Sequence, residues 1–335
     1  MLFSIVVPVY NRPDEIQVLL ECLQKQTYTN FEVIIVESGS EIKSDQVVES
    51  FKSSLNVHYY LTTNSGQGFS RNHGFARAIG DYFVVLDSDI LLEPYFLQRV
   101  YDGINRDNLD CYGGPDKAHG SFTDVQKAIN YTLTSFFTTG GIRGSANHVG
   151  KFYPRSFNMG FSRKVYEATQ GFKIPFLGED IELSARIMSL GFKVGLIDDA
   201  FVYHKRKTNF PHFYKQMHFF GRSRVNIYRM FPDSLKLTHF VPAVFTIYSL
   251  MLAVNFLIHY SLGLFSSTLY FMYIMLILVD STLKNNSLKI GLLSVRALFT
   301  QMFGYGLGFM EDFIKLKAGK LKWKNYSSLN RYLSF

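Results

Sequence analysis

From Phe240 to Val279 the chain carries no Asp, Glu, Lys or Arg. A membrane-crossing helix needs about 20 predominantly apolar residues, so this run has the length of two crossings. His259, Tyr260 and Gly263 stand where a tight turn between them would fall. A buried helical hairpin is the competing fold, but few soluble cores supply an uncharged run of that length. A third apolar segment, residues 290–310, contains Arg296, Gln301 and the glycine-rich GYGLG. Spanning, re-entrant and interfacial placements all stay open for it. Cations bracket the region: Arg222, Arg224, Arg229 and Lys236 precede it, and Lys315, Lys317, Lys320, Lys322 and Lys324 follow it. That placement assigns the net charge of +8 to an anionic membrane surface or phosphate-bearing substrates. Nucleic acid is not expected as a partner.

The first half is built differently. SIVVPVY, FEVIIVES, VHYYLTT and YFVVLDSD read as strands buried on both faces, as in a parallel sheet. Pro13 stands at a helix start, and Ile16, Leu20 and Leu23 recur on one face. Alternating strands and helices give an α/β fold with an open, mainly parallel sheet and flanking helices. With 47% apolar and 19% charged residues the chain is not disordered. Cys22 and Cys111 are too few for a disulfide framework and show no CxxC spacing, which points to a reducing compartment. The opening MLFSIVVPVYN has no charged n-region or cleavage site, so it reads as a first strand in a cytoplasmic domain.

Ligands of open parallel sheets bind beyond the carboxyl ends of the strands. The first strand ends in Pro8, Tyr10 and Asn11, the second in Glu37, Ser38, Gly39 and Ser40, the fourth in Asp87, Ser88 and Asp89. Asp87 and Asp89, one residue apart, can share a hard divalent cation bridging nucleotide phosphates. A solvated turn is the plainer reading of such a pair. Between the third and fourth strands lies NSGQGFSRNHGFARAIG, with Asn64, Gly68 and Arg71. A helix beginning near Ser70, with free N–H groups and Arg71, would suit phosphate oxygens. The run is neither GxGxxG nor GxxxxGK[ST], which leaves dinucleotide and P-loop assignments unsupported.

Five stretches now stand in order: SIVVPVYNRPDEIQVLLECLQKQTY, FEVIIVESGS, GQGFSRNHGFARAIGDYFVVLDSD, FNMGFSRKVYEATQGF and GEDIELSARIMSLGFKV, followed by VYH at 202–204. Together they resemble the family 2 glycosyltransferases, inverting enzymes with the glycosyltransferase A fold. The resemblance implies that Glu37 and Asp87 lie around the base and ribose of a sugar nucleotide, that Asp89 holds a metal, and that Asp180 of the Glu179-Asp180 pair is the base for the acceptor hydroxyl. Pro8, Tyr10, Asn11, Asn64, Gly68, Arg71 and Ser88 complete the expected donor contacts. Asn158, Met159, Gly160 and Gly178 are the expected acceptor contacts. The second-strand motif reads ESGS where the family usually has DDGS, so Ser38 brings no carboxylate. A uridine diphosphate sugar is the first donor to consider.

His204 is a further candidate metal ligand, and an imidazole would favour Mn2+ over Mg2+. The following Lys205, Arg206 and Lys207 could face phosphates instead. At a helix start, Glu179 and Asp180 could equally be capping residues. The glycine-rich segment from Thr138 to Tyr153 is a candidate lid or connector.

The membrane half looks like that of membrane-attached members building bacterial surface polysaccharide on a polyprenyl diphosphate carrier. The expected organisation is a nucleotide-sugar-binding and catalytic domain (1–209), an amphipathic interfacial helix (210–238), a helical membrane region (239–312) and a basic cytoplasmic tail (313–335). The expected partners are a nucleotide diphosphate sugar, a polyprenyl-linked glycan acceptor and membrane lipid. The expected cofactor is Mn2+ or Mg2+, and the expected location is the cell inner membrane with the catalytic domain cytoplasmic. Two alternatives stand beside that reading. One is a transferase loading sugar onto polyprenyl phosphate; the other is a non-catalytic sugar-nucleotide-binding membrane protein.

Overall fold

The computed structural model describes residues 1–64, 66–140 and 152–321. In chain order these form β1 (Phe3–Val9), α1 (Pro13–Gln24), β2 (Phe31–Ser38), α2 (Asp45–Phe51), β3 (Val57–Thr62), α3 (Gln67–Phe75), β4 (Tyr82–Leu86) and β5 (Ile90–Leu91). There follow α4 (Phe96–Asp107), β6 (Cys111–Gly113), β7 (Asp116–Lys117), α5 (Asp124–Thr134), α6 (Phe136–Thr139), β8 (Asn158–Ser162), α7 (Arg163–Thr169) and α8 (Glu179–Ser189). The last are β9 (Val194–Leu196), β10 (Val202–His204), α9 (Phe210–Met230), α10 (Val241–Ile258), α11 (Tyr260–Asn285) and α12 (Leu288–Lys317). They fall into two units, Met1–His119 with Ile142–Lys205, and Gly120–Gly141 with Arg206–Phe335.

In the first unit the large sheet has the order β3-β2-β1-β4-β8-β6-β9. β1, β2, β3 and β4 pair in parallel, β8 runs antiparallel to both its neighbours, and β9 is parallel to β6. β1 and β4 are apolar on both faces because helices cover both; Ile5, Val7 and Val84 lie in one core layer and Val6, Phe83 and Val85 in the other. β3 differs from the expectation of a strand buried on both faces. It is the edge strand, and five of its six residues are half-buried or exposed, as edge position dictates. α1 begins at Pro13, where the missing N–H costs nothing, and Asp14 and Glu15 favour the positive end of the helix. α3 starts at Gln67, a turn earlier than expected. A second sheet, β5-β10-β7, carries the polar ends described below. Cys111 is buried, and burial pushes its thiol up.

The boundary of the helical unit is also not where the sequence placed it. Residues 120–141 belong with it. The reason is the apolar face of α5, whose Ile129 and Leu133 share a cluster with Phe213 and Met217 of α9 and Ala297 of α12. A capping box of Thr123 and Gln126 fixes the start of α5. Phe213 and Met217, which an interfacial helix would turn toward lipid, are therefore inside. α9 and α12 approach closely: a Cβ at Gly221 would stand 2.1 Å from the Tyr305 carbonyl oxygen. Residues 288–317 form one continuous helix, leaving no break for a re-entrant turn. Two helices, Leu237–Ile258 and Tyr260–Asn285, are long and apolar enough to cross a membrane, with only 11% and 17% of their apolar windows buried. Most of the Thr138–Tyr153 loop and the tail with Lys322 and Lys324 lie outside the described residues.

Candidate functional site

The parallel strands β1, β2 and β4 end together, and the chain leaves β4 through Asp87, Ser88 and Asp89. β10 pairs antiparallel with β5 so that His204 faces Ile90 in register. That register brings the imidazole to Asp89. Nε2 of His204 lies 3.0 Å from Asp89 Oδ1 and 4.0 Å from Asp87 Oδ2. One ligand atom from each of Asp87, Asp89 and His204 falls within 4.8 Å of the others. Two carboxylates and an imidazole form a donor set that suits Mn2+ or Mg2+. On the far side of the ring, Nδ1 lies 3.7 Å from Oδ2 of Asp116, which is fully buried on β7. A buried carboxylate on that side favours the ring orientation that directs Nε2 at the cluster. Arg12 Nη1 donates to Asp89 Oδ2 and to Glu15 Oε2, each at 3.0 Å. Burial works against the Arg12 charge, and Asp89 and Glu15 more than offset it, so its pKa rises.

Arg71 connects this cluster to α8. It is fully buried, with Nη2 donating to Asp87 Oδ1 at 2.7 Å and Nη1 to Glu179 Oε1 at 3.4 Å. A buried guanidinium needs such partners, since an unpaired one would carry a large desolvation cost. Glu179 also accepts a hydrogen bond from Gln67 Nε2. Burial first, and the Asp180 carboxylate second, push the Glu179 carboxyl up against the opposing pull of Arg71. Asp180 is differently placed. Its Oδ1 accepts from the Ile181 N–H, and its Oδ2 lies 3.4 Å from Arg155 Nη1. The Asp180 side chain keeps 17% exposure against 4% for Glu179. Of the pair, Asp180 can meet an incoming molecule. Gly178 precedes them at φ 95°, a left-handed turn that glycine adopts without strain.

Several sequence-derived donor contacts are engaged within the protein. Glu37 is buried; Oε2 accepts from the Ser44 N–H at 2.9 Å and the Tyr59 hydroxyl at 3.3 Å, and Oε1 from Ser40 Oγ. It therefore ties down the loop after β2 in this structure. Asn11 does similar work, with Oδ1 accepting from the Glu41 and Ile42 N–H groups. The start of α3 is not a free phosphate cradle: the Gly68 N–H donates to Pro175 O, and a Cβ at Gly68 would meet Ile174 O at 2.4 Å. Ser88 Oγ reaches Glu15 Oε2 at 3.4 Å. Pro8, Tyr10 and Asn64 are half-buried at the strand ends.

The expected acceptor contacts on β8 are internal as well. Asn158 Nδ2 donates to Ala200 O at 2.7 Å, Met159 is in the core, and Gly160 packs against Tyr112. β8 is paired on both edges, with β4 and β6, and Met159 and Phe161 lie in the core, so these positions are engaged in packing. Arg12 and Gln67 lie within the ordered stretches without a role of their own there, and Asp116 and Arg155 lie outside them. Only the fold brings them in.

Residues 4–169 match the family model described as glycosyl transferase family 2. Over 132 residues the chain is 40% identical to an uncharacterized glycosyltransferase of Haemophilus influenzae, covering 38% of this chain and 44% of that one. Over 92 residues it is 42% identical to the amylovoran biosynthesis glycosyltransferase AmsB of Erwinia amylovora, covering 26% and 30%. The chain thus spans less than half the length of these curated relatives. A mannosyltransferase from Pyrobaculum calidifontis, solved with GDP-Man and Mn2+, shares the fold with a TM-score of 0.58 at 14% identity, covering 92% of this chain and 87% of that one. The ordered sequence stretches, the mainly parallel sheet they build and the family match agree: residues 4–169 form a glycosyl transferase family 2 domain.

Proposed function

We propose that the protein is a metal-dependent inverting glycosyltransferase, moving a sugar from a nucleotide diphosphate sugar to a hydroxyl of a lipid-linked glycan at the cytoplasmic membrane face. A uridine diphosphate sugar is the first donor in this reading. The observation that carries it is the joining of two groups of side chains by one buried cation. Arg71 pairs with Asp87 of the Asp87–Asp89–His204 cluster and with Glu179, the neighbour of Asp180. Asp87, Asp89 and His204 are the residues that would hold Mn2+ or Mg2+. When bound, such an ion supplies Lewis-acid neutralisation of the leaving diphosphate.

The remaining roles belong to the chain. Asp180 accepts the proton of the acceptor hydroxyl as its oxygen attacks the anomeric carbon. The new glycosidic bond forms while the bond to the diphosphate oxygen breaks, and the electron pair leaves with the nucleoside diphosphate. Attack opposite the leaving group inverts the anomeric centre. Glu179 is occupied by Arg71 and Gln67, and its part is to hold the start of α8 in place. Arg12 fixes Asp89, and Asp116 fixes His204. The apolar helices Leu237–Ile258 and Tyr260–Asn285 support attachment to the membrane, where a confined acceptor reaches a high effective concentration.

The test is turnover by the full chain with a panel of nucleotide sugars and Mn2+, offering polyprenyl phosphate and a polyprenyl-diphosphate sugar as acceptors. The expected result is transfer to the diphosphate-linked sugar with inverted anomeric configuration. Retention, transfer to polyprenyl phosphate alone, or no turnover with any donor would overturn the reading.

A further inference from the structure

Within the helical unit, α12 presents one outward stripe at helical spacing: Leu292, Val295, Arg296, Phe299 and Phe303. With Tyr214 of α9 these residues line a groove of about 530 Å³. That volume lies within the range of about 300–1,000 Å³ typical of sites for small ligands. The lining is mostly aliphatic and aromatic; Thr300 and the Tyr214 hydroxyl add neutral polar groups, and Arg296 supplies the charge. Arg296 is the only cation on α12 between Lys289 and Lys315. It is exposed and stacks on Phe210, its charge centre 4.5 Å from the ring centroid. Among the described residues it has no carboxylate within ion-pairing distance, whereas Lys289, two turns earlier, pairs with Asp124.

The aromatic side of the groove packs against the two apolar helices. Phe299 and Phe303 lie 5.9 and 6.1 Å from the ring of Phe245 on α10, and Phe299 lies 6.1 Å from Tyr270 on α11. A lone guanidinium beside an apolar trough that adjoins membrane-type helices calls for an anion that itself carries an apolar chain. Ring stacking leaves the charge in place and so does not meet that need. A diacyl lipid would bring two chains to a single trough, and free phosphate would leave the aromatic lining empty.

We infer that this groove is a binding site for a single-chain lipid phosphate of the polyprenyl type, with the chain along Phe299 and Phe303 and the phosphate on Arg296. The inference rests on the proposed lipid-linked acceptor for its biological meaning, but binding can be measured without donor or transfer. The experiment is equilibrium binding of radiolabelled undecaprenyl phosphate to the purified full chain in detergent. Competitors are undecaprenol, inorganic phosphate and phosphatidylglycerol.

Arg296→Gln should weaken binding about tenfold, the loss of one charge-assisted phosphate contact. Leu292→Trp, at an exposed position that tolerates bulk, should weaken it by filling the trough. Neither change should alter nucleotide-sugar binding. Competition by undecaprenol should be weak, and none should come from inorganic phosphate. Wild-type binding in both variants, or equal competition by phosphatidylglycerol, would overturn the inference and mark the groove as covered by bulk lipid. Specific lipid binding without any sugar transfer would leave the site standing and defeat the proposed function. Transfer with unaltered lipid binding in both variants would do the reverse.

Discussion

The α/β unit and the helical unit treat burial in opposite ways. In the first, charge is inside: Arg71, Glu37, Asp116 and Glu179 are all buried, each among hydrogen-bonding or oppositely charged groups. In the second, oil is outside: Leu257 is 86% exposed, Leu283 71% and Leu250 68%, along helices that carry little charge. A chain in water gains about 1.5–3 kcal/mol by burying one such side chain, so their exposure is costly in water and fits helices long and apolar enough to cross a membrane. Buried charge is likewise stable only where partners satisfy it. The difference separates a unit that holds polar groups in fixed geometry from one whose two long helices are apolar enough on their outer faces to cross a membrane.

Breaking the polar arrangement should have the largest effect on activity. Asp180→Asn keeps the side chain's shape and its acceptor oxygen for the Ile181 N–H but removes the proposed base. Transfer should fall by about 10²–10⁴-fold, with nucleotide-sugar binding kept. Turnover within threefold of the unaltered protein would assign the proton to another group.

The packing side of the comparison is tested by Ile5→Ala, at a fully buried position on β1. It should cost about 2–5 kcal/mol in denaturant unfolding. A smaller effect belongs to Asp116→Asn, which leaves His204 in place but weakens its orienting partner. Affinity for Mn2+, followed by electron paramagnetic resonance, should drop about 10–100-fold; an unchanged affinity would make Asp116 a packing residue. The smallest effect is expected at Leu257→Ala, which should change stability in detergent by no more than about 0.5 kcal/mol. A cost near that of Ile5→Ala would mean that the exposed helix face has a protein partner.

The contrast between units also governs what could be read from sequence. β1, β2 and β4 are long apolar runs, and the two apolar helices lack charge, so both kinds of element announce themselves locally. The strands β5, β7 and β10 have two or three residues each and no periodicity to detect. Yet these set the site, because their pairing brings Asp116 and Asp89 to His204. A motif match placed donor roles on Glu37 and Gly68, but it could not show that Ser44 and Tyr59 bond to the one and Pro175 to the other. Residues 120–140 join the helical unit for a similar reason: the apolar face of α5 finds its partners only in α9 and α12, far along the chain.

That packing bears on attachment. Removing everything from Phe240 onward would strip α12 from α5 and α9 and expose Phe213 and Met217. Point substitutions in the full chain are therefore the sound way to separate donor binding from membrane attachment.

The central claim is that Asp87, Asp89 and His204 hold a divalent ion against the diphosphate of a sugar nucleotide. Isothermal titration of a uridine diphosphate sugar into the full chain, with and without Mn2+, tests it directly when repeated on Asp89→Ala. Asp89 lies at a strand end, half-buried and outside the hydrophobic clusters, so the variant should fold. The account predicts Mn2+-dependent binding in the unaltered protein and loss of that dependence in the variant. Equal Mn2+-dependent binding by both proteins would contradict it.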